Sequence, residues 1–210
     1  MAKGIGVFGN GRGKVGNLVL RVNKGQQIIS AWQPKVHNPN TPAQQANRKR
    51  NAEITAMVSG FKQAYDLGLH GTVQHRTKYS HCHSLNTTAF DNTAFPIIAF
   101  IPANVVVSQG NLEELQGLGP VAAASGNVTA SFSAGTYGNG LPSDKVVVVV
   151  VNTANPAKSF TYTGALRSDA AFSAPIPSTF PTGDAEVYVF ASNAANTNAS
   201  DSAYLGTVTI

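Results

Sequence analysis

Three observations predict an α+β N-terminal region, a β-hairpin plus a long helix, followed by an all-β sandwich of immunoglobulin-like or fibronectin-like type. Two β-prone runs flank the turn tripeptide Asn23-Lys24-Gly25, a proline-led helix start follows at Thr41, and after Pro102 the chain becomes short β-prone runs separated by Gly, Pro, Asn and Asp. The division is expected at residue 102, giving a basic hairpin–helix region over 1–102 and a sandwich over 103–210.

The opening stretch "GVFGNGRGKVGN" holds Gly11, Gly13 and Gly16 in the spacing G-x-G-x-x-G, behind the apolar run Ile5–Phe8. A dinucleotide cradle needs its third glycine to open a helix whose amides meet the pyrophosphate. Here the run Asn17–Val22 follows, then the turn, then Gln26–Trp32, so the glycine feeds a strand and no crossover helix fits. A P-loop fails as well, because Lys14 is followed by Val15 where Ser or Thr would hold magnesium. The glycines read as sites of positive φ or close backbone contact, and Arg12 and Lys14 as cations that solubilise the loop or touch a partner. No nucleotide cofactor is expected.

In "VHNPNTPAQQANRKR", Asn38-Pro39 makes a turn, Thr41 suits an N-cap, Pro42 the first helical position, and Gln44 completes a capping box. Ile54, Met57, Val58, Phe61, Ala64 and Tyr65 follow helical spacing, whereas Gln44–Asn51 is almost wholly polar, so one continuous helix with a core face only in its second half is expected. Arg48, Lys49 and Arg50 stand well before the helix's C-terminal end, where the macrodipole gives no reason for them. Gln44, Gln45, Asn47, Arg48, Lys49 and Arg50 are therefore candidate assembly or anion contacts, together with Arg12 and Lys14.

His70, His75, His81, Cys82 and His83 invite a metal-site reading, since His81 and His83 would share a face of an extended segment. No carboxylate accompanies them and the spacing matches no zinc pattern, so no metal and no catalytic Cys/His pair is expected. The following "NTTAFDNTAF" places Phe90 and Phe95 as packing anchors.

Seven strands are expected in the second region: 104–108, 127–133, 145–151, 159–163, 170–174, 186–191 and 203–209. Val146–Val151 is apolar without alternation, the pattern of a central strand covered on both faces, with Asp144, Lys145 and Asn152 guarding its ends against cross-β pairing.

The composition, 42% hydrophobic, suffices for a real core, and the single cysteine forbids an internal disulfide. No stretch of 18 apolar residues occurs, so no membrane span is expected. The start lacks the apolar region of a secretory signal, which points to a chain kept in the cytoplasm. Residues 1–90 hold twelve Lys/Arg against Glu53 and Asp66, a net of +10, while residues 91–210 hold three against eight acids, a net of −5. The chain is electrically bipolar, which lets one subunit's basic region meet another's acidic sandwich.

The segments "KGIGVFGNGRGKVGN", "NPNTPAQQANR", "SDKVVVVVVN", "GALRSDAAF" and "AEVYVFAS…SAYLG" together resemble a family of uncharacterised proteins of about this length from Bacteroidota and their phages. The resemblance spans nearly the whole chain and brings no catalytic residues to carry over. It implies a phage-related role and supports the two-part layout. The expectation is a non-enzymatic structural subunit of a phage virion (capsid, neck or tail), assembled in the host cytoplasm, whose partners are further copies of itself and other virion proteins. The alternatives are a nucleic-acid-binding protein using the basic N-terminal region, or a bacterial surface or adhesion protein.

Overall fold

The computed structural model describes residues 2–3, 11–23, 25–33, 39–70, 76–136 and 138–210. They fall into two compact units, 1–41 and 42–210.

The smaller unit is an antiparallel sheet of β1 (Ala2–Lys3), β2 (Gly13–Val15), β3 (Leu18–Asn23) and β4 (Gln26–Ala31), in the order β1-β4-β3-β2. Gly16, with φ +57°, turns the chain between β2 and β3, and Gly25, with φ +76°, does so between β3 and β4. Both angles lie in the left-handed region that glycine enters without steric cost. The third glycine of G-x-G-x-x-G thus leads into a strand, and the phosphate-cradling helix N-terminus is replaced by a hairpin. Gly6, Gly9 and the Ile5–Phe8 run lie outside the described residues.

The larger unit is built in three layers. Its helices are α1 (Pro42–Gly60), α2 (Lys62–Gly68) and α3 (Lys78–Leu85), followed by a short ribbon of β5 (Phe90–Asp91) and β6 (Ala99–Phe100). The strands β7 (Ala122–Ala124), β8 (Asn127–Ser131), β9 (Lys145–Asn152), β10 (Ser159–Leu166), β11 (Ala171–Pro175), β12 (Asp184–Ser192) and β13 (Ala203–Thr209) complete it. They form two antiparallel sheets, one of order β10-β9-β12-β13 and one of order β11-β8-β7.

Strand β9 explains why the layers stack. Val146, Val148 and Val150 meet Val128, Phe172 and Ala174 of the three-stranded sheet, together with Val187 and Val189 of β12. Val147, Val149 and Val151 meet Ile54, Met57, Val58 and Phe61 of the helical segment, with Tyr188 and Phe190. All six valines are fully excluded from solvent. Successive side chains of a strand face opposite sides, so an unbroken apolar run is stable only where both sides are covered.

Several expectations are corrected by this arrangement. The boundary falls between residues 41 and 42 rather than at 102, because α1 and α2 share a core with β9 and β12 and belong to the same unit. The helix is not continuous: it breaks at Phe61, whose φ of −101° and ψ of 40° leave the helical region while its ring stays buried. Gly60 ends α1 where a Cβ would lie 2.5 Å from the Ala157 carbonyl oxygen, so the helix end approaches the β9–β10 turn closely. Residues 104–108 form no strand; a 3₁₀ turn over Pro102–Asn104 leads into an extended segment whose amides are taken by side chains, Val106 by Asn86 Oδ1 and Val107 by Ser202 Oγ. The seventh strand is β7, three alanines that β-propensity does not mark. Asp144 is no surface guard of β9: it is 1% exposed and ion-paired. Phe90 is buried against Phe100, with ring centroids 5.2 Å apart, whereas Phe95 is half-buried.

Removing residues 42–102 uncovers one face of the four-stranded sheet. A fragment of residues 103–210 is expected to bind an apolar dye and aggregate, while residues 42–210 unfold in one cooperative step. Phe61→Ala is expected to lower the stability of that step by about 3–5 kcal/mol in denaturant melts.

Candidate functional site

Two of the cations of the smaller unit lie on β2 and just before it, while Lys3 is on β1 and Arg21 on β3. Arg12 is exposed, and Lys14, opposite Val19 in the ladder, places its ammonium 3.2 Å from the centroid of the Trp32 ring. A cation over an indole face is attracted by the ring quadrupole, by about 0.5–1 kcal/mol at an exposed site. Trp32 is tied in turn by its amide, which donates to the Asn17 carbonyl at 2.7 Å. Val15 and Leu18 are direct ladder partners, share a face, and are 57% and 43% exposed; Trp32 is 42% exposed. Residues 1–41 contain six Lys/Arg and no acid, so this sheet joins positive charge to exposed apolar surface.

The other candidates lie in the first half of α1 and do a different job. Asn47 Oδ1 accepts from Asn92 Nδ2 at 3.0 Å, and Lys49 Nζ donates to the Pro96 carbonyl at 2.8 Å. Hydrogen bonds from Thr93 hold the Asp91 carboxyl below its usual range, with a smaller contribution from the charge of half-buried Arg50. Asn47 and Lys49 therefore bind the 91–96 loop to the helix within one unit. Gln44 and Gln45 are half-buried and Arg48 is exposed in the same stretch.

The histidines do not converge. His81 and His83 stand on helix α3, not on an extended segment, and a spacing of two turns them to different sides. His83 packs near Tyr79, and His70 Nε2 meets the Leu67 carbonyl, with burial lowering the His70 pKa. His37 and His75 lie outside the described residues, among which no group of three His, Cys, Asp or Glu is placed to hold a metal. Cys82 is buried under Asn86, and burial pushes its thiol up to about 12. A thiol protonated at neutral pH is a poor nucleophile. His70 and His81 also line an open polar cleft of about 570 Å³ with Asn111, Asn198 and Asp201.

Sequence reasoning missed the most unusual ionisable group, Arg167, which is fully buried. Its Nη2 donates to the Glu113 carbonyl at 2.6 Å and its Nη1 to the Glu114 carbonyl at 3.2 Å, while Nε lies 3.5 Å from Asp144 Oδ2. Gly140 leaves the room, since a Cβ there would sit 3.0 Å from Arg167 Cζ. The arginine fastens the strandless 111–119 segment to the start of β9. One signal was available: Arg167 is among only three Lys/Arg in the acidic residues 91–210.

At the far end of the four-stranded sheet, Glu186 accepts from Thr153 Oγ1 at 2.8 Å, Tyr204 OH at 2.7 Å and Thr207 Oγ1 at 2.9 Å. Beside it, exposed Asp184 accepts from Thr209 Oγ1 at 2.7 Å. This end of β12 and β13 is acidic, and neither strand carries Lys or Arg. Among the described residues no helix is long and apolar enough to cross a membrane.

Two outcomes follow from the burial. Cys82 is expected to react with a thiol reagent at pH 8 only at the rate of unfolding, which stopped-flow absorbance checks. Arg167→Met, which strands Asp144 in the interior, is expected to cost about 3–5 kcal/mol in denaturant melts.

A family of unknown function, DUF6266, matches residues 9–206, nearly the whole chain. No curated protein and no solved structure matches.

Proposed function

The chain belongs to this family of unknown function, and from that premise we propose that it is a non-enzymatic structural subunit that self-assembles through its N-terminal residues. One observation carries the reading: charge and exposed apolar surface coincide on the small unit. Residues 1–41 combine six Lys/Arg and no acid with the exposed Val15, Leu18 and Trp32, whereas residues 42–210 hold nine Lys/Arg against ten acids. A basic, partly apolar sheet and a nearly neutral scaffold whose β12–β13 end is acidic suit contacts between copies.

The larger unit supports the same reading as a scaffold. Its strand order, β10-β9-β12-β13 over β11-β8-β7, favours a fibronectin-like sandwich, an architecture used for spacing and assembly. The ionisable side chains Arg167, Asp144 and Glu186 are engaged in holding segments together. The particle we assign to it is a bacteriophage virion, as a capsid, neck or tail component, on the resemblance carried by the glycine-rich start and the Asn-Pro-Asn-Thr-Pro-Ala-Gln segment. The nucleic-acid alternative draws less support, because Asn47 and Lys49 are committed to the 91–96 loop instead of forming a phosphate-facing surface with Arg48.

Light scattering and negative-stain microscopy of the full-length protein test this. Rings, tubes or shells that grow with concentration and dissociate as salt is raised are expected. A monomer at every concentration overturns the reading, and salt-sensitive retention of DNA without self-assembly favours the nucleic-acid alternative.

A further inference from the structure

We propose that the open edge of β2 in one copy pairs with the open edge of β13 in a second copy, in a head-to-tail strand contact steered by Arg12 and Lys14 toward Asp184. This rests on the assembly reading above and names its partner surface. An edge strand presents a row of unpaired amides and carbonyls, which another chain completes as an added strand.

The described strands leave few edges fit for this. In the three-stranded sheet, β11 ends in Pro175, and β7 is all alanine, with no charge to steer a partner and only methyl groups to pack against one. In the four-stranded sheet, β10 is interrupted by a register shift between Tyr162 and Ala165 and is flanked by Lys158 and the buried Arg167. Strand β13 is different. Its residues Gly206–Thr209 form a continuous stretch beyond the register shift opposite Val187 and Tyr188, with exposed Asp184 opposite Thr209 and Glu186 opposite Thr207.

In the smaller unit, β2 ends the sheet, and all three of its residues are exposed. Its charge is opposite to that of β13: Arg12 and Lys14 face no acid anywhere in residues 1–41, while β12 and β13 carry no cation. Pairing β2 with a second β2 would instead set like charges opposite one another, which destabilises a ladder. Val15 and Leu18 supply apolar surface on one side of β2, and half-buried Leu205 and Ile210 supply it at β13. Because the two edges are different surfaces, the contact is heterologous. It closes into rings or runs on as filaments, according to the rotation between copies.

Charge exchange in the full-length chain tests the pairing. Arg12→Glu with Lys14→Glu, and separately Asp184→Lys with Thr209→Lys, are each expected to abolish assembly in light scattering while near-UV circular dichroism stays native. An equimolar mixture of the two variants is expected to regain assembly, because each junction then joins opposite charges. Trp32 is the sole tryptophan and lies under Lys14, so its emission is expected to shift with recovery. As a second measurement, Val15→Cys chains mixed with Thr207→Cys chains are expected to form an interchain disulfide on oxidation, Cys82 being buried. Variants that assemble like the native chain, a mixture that stays monomeric, or cross-links only between two Val15→Cys chains would each overturn the pairing. If both charge exchanges leave assembly intact while Arg21→Glu on β3 abolishes it, assembly through the small basic unit stands and the β2–β13 contact falls. A native chain that is monomeric at every concentration removes both.

Discussion

Everything in the larger unit depends on the burial of one strand on both of its faces. Six consecutive valines in β9 cannot satisfy one core alone, because half of them would point to water. The three-stranded sheet takes Val146, Val148 and Val150, and the helical segment takes Val147, Val149 and Val151. Fully burying a valine contributes about 1.5–3 kcal/mol, so neither cover is dispensable. The helices that precede the sheet in sequence are thereby part of its fold.

A strand so enclosed leaves connections that cross the protein without a ladder of their own, and buried polar side chains serve them. Asn86 bonds both backbone groups of Val106, at 2.8 and 2.9 Å. Ser108 Oγ lies 3.0 Å from the Gly68 carbonyl and 2.6 Å from the Ser200 carbonyl, and Arg167 holds the carbonyls of Glu113 and Glu114. An unpaired buried backbone group costs about 1–3 kcal/mol, so each of these side chains has a structural reason to be polar. The surfaces proposed to meet a partner lie elsewhere, on the small basic sheet and on the acidic end of β12 and β13.

Much of this was legible in the sequence where local chemistry decides. The hairpin, the helix start at Pro42 and the two-sided burial of β9 each follow from turn residues, a fixed proline φ or an unbroken apolar run. What could not be read is non-local. The break at Phe61 interrupts a continuous apolar periodicity and accompanies the close packing of Gly60 against Ala157. Residues 104–108 look like a strand because valine favours one, yet their partners are side chains distant in sequence. Asp144 reads as a surface charge until Arg167 is brought beside it. The candidate contacts divided for the same reason: Lys14 lies beside Trp32 on a neighbouring segment of the hairpin sheet, while Asn47 and Lys49 meet a loop more than forty residues away.

The central claim is that the helices and the four-stranded sheet form one cooperative body, while the basic sheet is a second unit available for contact. Amide hydrogen exchange on the full-length chain, followed by mass spectrometry at low and high protein concentration, tests it most directly. The account predicts that residues 54–61 and 146–151 share the slowest exchange and the same opening free energy at both concentrations, while residues 13–31 exchange faster in dilute solution and gain protection on concentration. Helical residues that exchange on their own fast timescale, or residues 13–31 protected equally at both concentrations, would contradict it.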